Sequence, residues 1–470
     1  MTSWNPQRPT GPGHLYLALA DALAEDIESG ALQPGERLPT HRALARALAV
    51  NIGTITRAYA EARARGLIDG EVGRGSFVRH AAARPAPAAT EGPAPDRRLD
   101  LSVNSPAGGP DREACAAALR EIAGRPDLSS CFDAYVPAGL ERHRAAGVRW
   151  LTRAGVEADT DRVLITGGAQ HAMAVGFAAL GGPGDGVLTE ALTYPGLKSL
   201  AGLLRLRLHG VELDAQGIVP EALEQAARRT RARFLYLVPN LHNPTGAILA
   251  EERRRAVAEI ARRHDLVIVE DDSHGFLLPK PANPAPIATF APERTLFIAS
   301  LSKPLCAGLR IAYLLAPRPA GEWMPRLVAA SSAIAWMGAP LMAELATQWI
   351  EDGTAARVSA AKRTEITARR RLADSLLAAP GRALGTPSAE TSATLWLELD
   401  EPWRASEFVA RCRARGVGVS APDVFAVQRS HAPHAVRLCI GTPRTRDDLR
   451  EALTIVAQVL RAGPAPVSVV

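Results

Sequence analysis

Between residues 162 and 315 the chain repeats one pattern: a short apolar run, a polar loop, then a stretch of helical periodicity. The apolar runs are 162–165, 186–188, 234–237, 266–269 and 296–299, and helical stretches such as 220–229 and 251–263 lie between them. This alternation predicts a largely parallel sheet with helices on both faces. Functional groups in such a sheet gather at the carboxyl ends of the strands. Beyond residue 350 the pattern changes. A long helix over 355–379, a strand over 393–399, a helix over 406–415 stopped by Gly416, and strands over 417–419 and 435–440 read as a smaller α+β unit.

The polar loops after the strands carry the chemistry. After 296–299 comes Ser300-Leu301-Ser302-Lys303, with Arg310 seven residues on, before another apolar run at 311–315. Two hydroxyls and a planar guanidinium suit phosphate oxygens, and a lysine there can form a Schiff base. The chain has only four lysines, Lys198, Lys280, Lys303 and Lys362. A lysine retained amid so much arginine points to amine chemistry, because arginine forms no imine. Gly167-Gly168-Ala169-Gln170 opens a helix read over 171–180, where free amides make an anion site. Tyr194 precedes a proline on a loop and is placed to stack on a flat ring. Asn243, before Pro244, can bond a phenolate oxygen. Asp271, in Glu270-Asp271-Asp272, can pair with a protonated pyridine nitrogen. No His/Asp cluster at ligand spacing accompanies these carboxylates, so no metal is expected.

The first eighty residues read as a separate module. Leu15, Leu19, Leu23 and Ile27 mark one face of an amphipathic helix over 15–29. Thr40 caps a second helix and Asn51 caps a third, over 52–65, with Ile55, Ala58 and Tyr59 facing inward. Residues 66–70 and 73–78 read as a hairpin. Helix, helix, turn, helix, hairpin is a winged helix-turn-helix plan, whose third helix enters the major groove of double-stranded DNA. Residues 1–80 carry nine basic and eight acidic side chains, half of the acids on the first helix, away from the proposed DNA face. Residues 80–98, rich in Ala and Pro, read as an extended linker. The organisation expected is a DNA-binding domain over 1–79, a linker over 80–98 and a large domain over 99–470.

Five scattered cysteines with no CxxC pair, no amino-terminal signal pattern and no apolar run of roughly 18 residues point to reduced thiols, a cytoplasmic location and no membrane span. The net charge of +6 permits a nucleic-acid contact without requiring one.

Pro34-Gly35, then Leu38-Pro39-Thr40-His41-Arg42, Leu48, Val50 and Thr54, and finally Gly73-Arg74-Gly75-Ser76-Phe77-Val78, resemble the GntR-family DNA-binding domain. The resemblance implies that Arg42, Thr54, Arg57 and Arg74 touch DNA. Asn51-Ile52 stands where that family often has a Ser-Arg pair. From about 99 to 462 the ordered set Gly168-Ala169-Gln170, Tyr194, Asn243, Asp271, Ser300, Ser302, Lys303 and Arg310 resembles fold-type-I, pyridoxal-phosphate-dependent class I/II aminotransferases, with a large α/β and a small α+β domain. The resemblance implies that Lys303 forms the internal aldimine and Asp271 holds the pyridine nitrogen. Asn243 binds the ring oxygen, and Tyr194 stacks on the ring. Ser300, Ser302, Arg310 and the amides after Gly168 hold the phosphate, with Tyr135 reaching the neighbouring subunit's phosphate. Arg437 grips a substrate carboxylate. Ser273-His274 departs from relatives, many of which carry a tyrosine at 273.

Together these halves resemble the MocR type of transcriptional regulator. The resemblance implies a homodimer that binds pyridoxal 5'-phosphate and an operator, and senses an amino acid or amine, or the cofactor itself. Two other readings fit the same residues: a working aminotransferase with an incidental amino-terminal module, and an interaction scaffold with a dead pocket.

Overall fold

The computed structural model describes all residues except 1–3, 5, 7–14, 29–30, 34, 65–66, 72–74, 79–98, 106, 134, 280–283, 378–389, 429–431 and 465–470. Two compact units emerge, one within Met1–Glu91 and a much larger one over most of the remaining chain.

The first unit contains α1 (Leu15–Glu28), α2 (His41–Ala47), α3 (Ile52–Ala64) and the antiparallel pair β1 (Ile68–Glu71) and β2 (Gly75–Val78), in register Ile68↔Val78. Its core joins Leu19 and Leu23 of α1 to Leu44, Ile55, Ala58, Tyr59, Ile68 and Val78. Thr40 caps α2 by accepting the Ala43 amide at 3.2 Å, and Asn51 Oδ1 accepts the Gly53 amide at 2.8 Å. Between the two helices, in the four-residue turn 48–51, Ala49 adopts a left-handed φ of 52°. The buried Tyr59 hydroxyl donates to the Pro39 carbonyl at 2.9 Å, pinning α3 to the turn before α2.

The large unit is built on a seven-stranded sheet. Its strands are β3 (Val163–Thr166), β4 (Gly186–Glu190), β5 (Arg207–Val211), β8 (Phe234–Leu237), β9 (Val267–Asp271), β10 (Thr295–Ser300) and β11 (Ala312–Leu315). A two-stranded ribbon, β6 (Leu213–Asp214) and β7 (Gly217–Ile218), lies outside it. The sheet order is β3-β11-β10-β9-β8-β4-β5, and only β11 runs against its neighbours. Alternate residues of each strand serve opposite cores, as a period of two requires. Leu164, Phe234, Tyr236, Leu296 and Ile298 pack with the helices Ala169–Leu180 and Pro195–Leu204. Leu188, Leu235, Leu237 and Ile268 face Pro220–Thr230 and Glu251–Arg263, while Val163, Phe297 and Tyr313 join the cluster of Glu141–Ala154 and Pro340–Glu351.

The smaller part pairs β12 (Thr394–Glu398) with β13 (Ala435–Cys439), antiparallel, against the helices Thr354–Leu377, Ala405–Ala414 and Arg446–Ala462. The strand expected over 417–419 is absent as such. Gly418 and Ser420 make single bridges, to Asp100 and Arg437. The sheet strand Arg207–Val211 was not expected, because its first residue and His209 interrupt the apolar signal.

Candidate cofactor site and nucleic-acid interface

The sheet order explains why distant loops meet. Strands β3, β4, β8, β9 and β10 run the same way, so Gly167, Ala191, Val238, Asp272 and Leu301 all leave one edge. Because β11 is antiparallel, its start returns to that edge: Ser300 pairs with Ala312, and Ala312 with Thr166. Arg310, just before β11, is thereby delivered beside the Gly167-Gly168 turn.

Arg310 donates to the Gly167 carbonyl at 3.1 Å and to Ser302 Oγ at 3.4 Å, from a left-handed backbone at φ 50°. The Ser302 amide donates to Ser300 Oγ at 3.2 Å. Gly168 has φ 95°, and a Cβ there would lie 2.7 Å from Arg310 Nη2. The glycine is required both by its conformation and by the close guanidinium. Ala169 and Gln170 open the helix Ala169–Leu180, whose first amides have no intrahelical acceptor. Gln170 Nε2 donates to the Gly196 carbonyl at 3.0 Å, while its Oε1 is buried without a partner. A Cβ on Gly196 would fall 2.3 Å from the Tyr194 ring and 2.4 Å from that Oε1. Tyr194 and the glycine-rich turn therefore form one cradle, and burial raises the Tyr194 hydroxyl pKa.

Asp271 ends β9 and is buried. Its Oδ2 accepts the Tyr236 hydroxyl at 2.9 Å, and its Oδ1 accepts the Ser273 amide at 3.0 Å and hydroxyl at 2.5 Å. Burial raises its carboxyl pKa against the pull of those donors. A buried carboxylate of this kind can pair with a cationic ring nitrogen. Behind it, Asn240 bonds Asp272 at 2.7 Å, and fully buried Arg254 donates to the Leu249 and Pro239 carbonyls.

Lys303 donates to the Asn104 carbonyl, and burial lowers its pKa to about 8. The buried ammonium of Lys362 donates to the Lys303 carbonyl at 3.1 Å. Lys198 is held by the carbonyls of Asp423, Val424 and Ala426.

Arg437, on β13, donates to Asn243 Oδ1 at 2.9 Å, to Ser420 Oγ at 3.1 Å and to the Ser102 carbonyl, and its guanidinium lies 4.6 Å from the Phe425 ring centre. Its Nε is buried and unpartnered. Ser273 spends its hydroxyl on Asp271, so it does not take the place of a phenol beside Asn243. His274 lies 3.2 Å from the Asn104 amide, and burial lowers its pKa to about 3.

Tyr135 stands apart from these groups. It is 78% exposed, edge-on to the exposed Trp336 at 6.3 Å. Tyr236, Asn104 and Lys362 were not singled out from the sequence. A tyrosine within a fully buried strand must find a partner for its hydroxyl, and that signal was available for Tyr236.

In the first unit Arg42 and Arg57 are exposed and Thr54 is half-buried. Arg74 lies outside the described residues. Ile52, on the first turn of α3, is 45% exposed. No group of three or more potential metal ligands occurs among the described residues. No helix among them is long and apolar enough to cross a membrane.

Known families match both units. The description "Bacterial regulatory proteins, gntR family" fits residues 15–78, and "Aminotransferase class I and II" fits residues 97–455. The chain is 33% identical to the uncharacterized HTH-type transcriptional regulator YdeF of Bacillus subtilis (strain 168) over 460 residues, 97% of each chain. The chain belongs to the MocR-type transcriptional regulators. Another relative of this MocR-type protein is the HTH-type transcriptional regulator TauR of Rhodobacter capsulatus, 32% identical over 66% of this chain and 69% of that one. Among solved structures, LysN, an alpha-aminoadipate aminotransferase from Thermus thermophilus, aligns at 25% identity with a TM-score of 0.68, covering 77% of this chain and 92% of that one. An archaeal alanine:glyoxylate aminotransferase aligns at a TM-score of 0.70 and 21% identity, covering 77% of this chain and 91% of that one, which speaks to the fold. The MocR-type chain is thus a DNA-binding transcriptional regulator with a fold-type-I aminotransferase-like domain, and its cofactor is pyridoxal 5'-phosphate.

Proposed function

We propose that pyridoxal 5'-phosphate, held through Lys303, makes the large unit a receptor for an amino acid or amine, and that its occupancy changes how the first unit binds its operator. The observation that carries this reading is the convergence, on one sheet edge, of a half-buried lysine of lowered pKa, the Asp271 carboxylate and the Arg310–Gly168 cradle. The bound cofactor supplies a carbonyl that captures amines and a ring that withdraws electrons.

The residues do the rest. Lys303, its pKa lowered by burial to about 8, has an appreciable neutral fraction near neutrality, the form in which it would hold the cofactor through its carbonyl carbon. Asp271, oriented by Tyr236 and Ser273, keeps the ring nitrogen protonated. Asn243 holds the ring oxygen and Tyr194 covers the ring. Ser300, Ser302, Arg310 and the amides of Ala169 and Gln170 take the phosphate, and Arg437 offers its fork to a carboxylate. Arg42, Thr54, Arg57 and Arg74 meet the DNA. The protein acts in the cytoplasm as a homodimer, and exposed Tyr135 reaches the partner's phosphate site. The regulatory step requires an effector that binds two arrangements of the protein with different affinity.

The test is an absorption spectrum of the purified protein with added cofactor, beside Lys303→Ala, followed by amino-acid titration and an operator-binding assay. A visible band that Lys303→Ala lacks, shifted by an amino acid that also changes DNA affinity, is expected. A wild-type protein with no band sinks the reading. A second reading, a working aminotransferase, is favoured by the intact set of Lys303, Asp271 and Arg437. Complete turnover, conversion by an amino acid and return by a keto acid, would establish it. Ser273, committed to Asp271, weighs against efficient turnover.

A further inference from the structure

The segment before the first helix of the large unit passes Lys303 and Arg437, and three of its consecutive carbonyls are taken by side chains. The Ser102 carbonyl accepts from Arg437, the Val103 carbonyl from Thr442, and the Asn104 carbonyl from Lys303. Asn104 therefore stands at the lysine, two residues from the arginine. Its side-chain amide lies 3.2 Å from His274 Nε2. Two atoms of this pair, Asn104 Oδ1 and His274 Nδ1, are sealed from solvent with no partner, and His274 is 8% exposed.

The hydrogen-bond inventory of the pair does not depend on how the rings and amides are turned. If the Asn104 amide donates to Nε2, the imidazole proton sits on Nδ1. The free groups are then the Oδ1 acceptor and the Nδ1–H donor. If the amide is reversed, Nε2–H donates to the oxygen. The free groups are then the amide N–H₂ donor and the Nδ1 acceptor. Either way one donor and one acceptor stand open, and a buried pair left so is costly until something fills it.

We infer that Asn104 and His274 form a recognition pair for the effector's side chain, and that the effector is an amino acid bearing a neutral hydroxyl or carboxamide. This rests on the reading of the pocket as an amino-compound receptor. A hydroxyl or a carboxamide both donates and accepts, which matches the pair. A second carboxylate finds no spare cation. On that reading Lys303 and Arg437 are engaged by the effector's backbone groups, and His274, buried near both of those cations, stays neutral. A second ammonium finds no spare anion, because Asp271 is held by Tyr236 and Ser273.

Isosteric probes test this directly. The cofactor-loaded wild type is titrated with L-threonine against L-valine, and with L-asparagine against both L-leucine and L-aspartate, following the cofactor band to obtain dissociation constants. At least one polar probe is expected to bind about tenfold or more tightly than its apolar isostere, with asparagine also ahead of aspartate, since a site built for a hydrogen bond rejects the analogue lacking it. In Asn104→Ala and, separately, His274→Phe, the polar-to-apolar ratio should fall below about threefold, each ratio being read within one variant so that general loss of affinity cancels. If one variant fails to fold, the other carries the test. Valine binding as tightly as threonine together with leucine binding as tightly as asparagine overturns the inference, and so does aspartate binding as tightly as asparagine. So does a ratio that survives the substitutions, or a wild type that keeps its band but responds to no probe. A wild type without any band removes the receptor reading itself, and this inference with it.

Discussion

Arg57 on α3 and Asp271 at the end of β9 both carry charge, but in opposite settings. Arg57 is exposed, and Asp271 is buried with two residues already donating to it. Arg42 and Arg57 of the winged unit stand in water, where a cation can meet phosphate by long-range attraction. The large unit fixes its groups in an interior, and among the buried polar atoms it leaves without a partner are the Gln170 Oε1, the Arg437 Nε and, in the Asn104–His274 pair, Oδ1 and Nδ1. A surface site of the first kind tolerates sequence change and responds to salt. An interior site of the second kind responds to the loss of single partners and hardly to salt.

The largest expected effect lies in the interior. Asp271→Ala leaves the Tyr236 hydroxyl and the Ser273 donors unpaired, at about 1–3 kcal/mol for each orphaned group, and removes the anion proposed to face the ring nitrogen. Cofactor affinity should fall by about a hundredfold or more, measured by titrating the band. A loss under about threefold would break the assignment of Asp271 to the ring.

Next is the pH dependence of cofactor capture. Lys303 has its pKa lowered by burial to about 8. The neutral, attacking amine is scarce below that value and predominates above it. Capture of pyridoxal 5'-phosphate by cofactor-free protein should therefore speed up about tenfold from about pH 7 to pH 9 and then level off. An ordinary lysine would keep gaining past about pH 10. Stopped-flow absorbance distinguishes the two profiles.

At the surface, Arg57→Ala should weaken operator and random DNA alike by about three- to tenfold, and reduce the slope of log affinity against log salt by about 1. The cofactor band should not move. A loss confined to one base pair would mean that Arg57 reads sequence, not phosphate. The smallest effect sits at a cap. Thr40→Ala removes the acceptor of the Ala43 amide and should cost the winged unit about 1 kcal/mol, read by chemical denaturation.

The order of the loops was legible because the chemistry sits in polar punctuation between apolar runs, and α/β topology sends all such punctuation to one edge. Gly168, Tyr194, Asp271, Lys303 and Arg310 stand out for that reason. Helix caps Thr40 and Asn51 were legible because capping is local. Contacts across the fold were not. Nothing in the spacing of Asn104 and His274 predicts that they touch, 170 residues apart. Tyr236 hid inside an apolar strand, where its ring reads as core and only its hydroxyl betrays a function. Strand Arg207–Val211 hid because Arg207 and His209 interrupt its apolar run. Ser273 was visible as a departure, but its bond to Asp271 needed the folded loop.

The arginine-rich composition has a practical consequence for chemical labelling. Lys198 and Lys362 are each held on main-chain carbonyls, three for the first and one for the second. With only four lysines in the chain, reductive trapping of the cofactor on the purified protein leaves few peptides to distinguish, and a single digest can tell whether the one with Lys303 carries the mark.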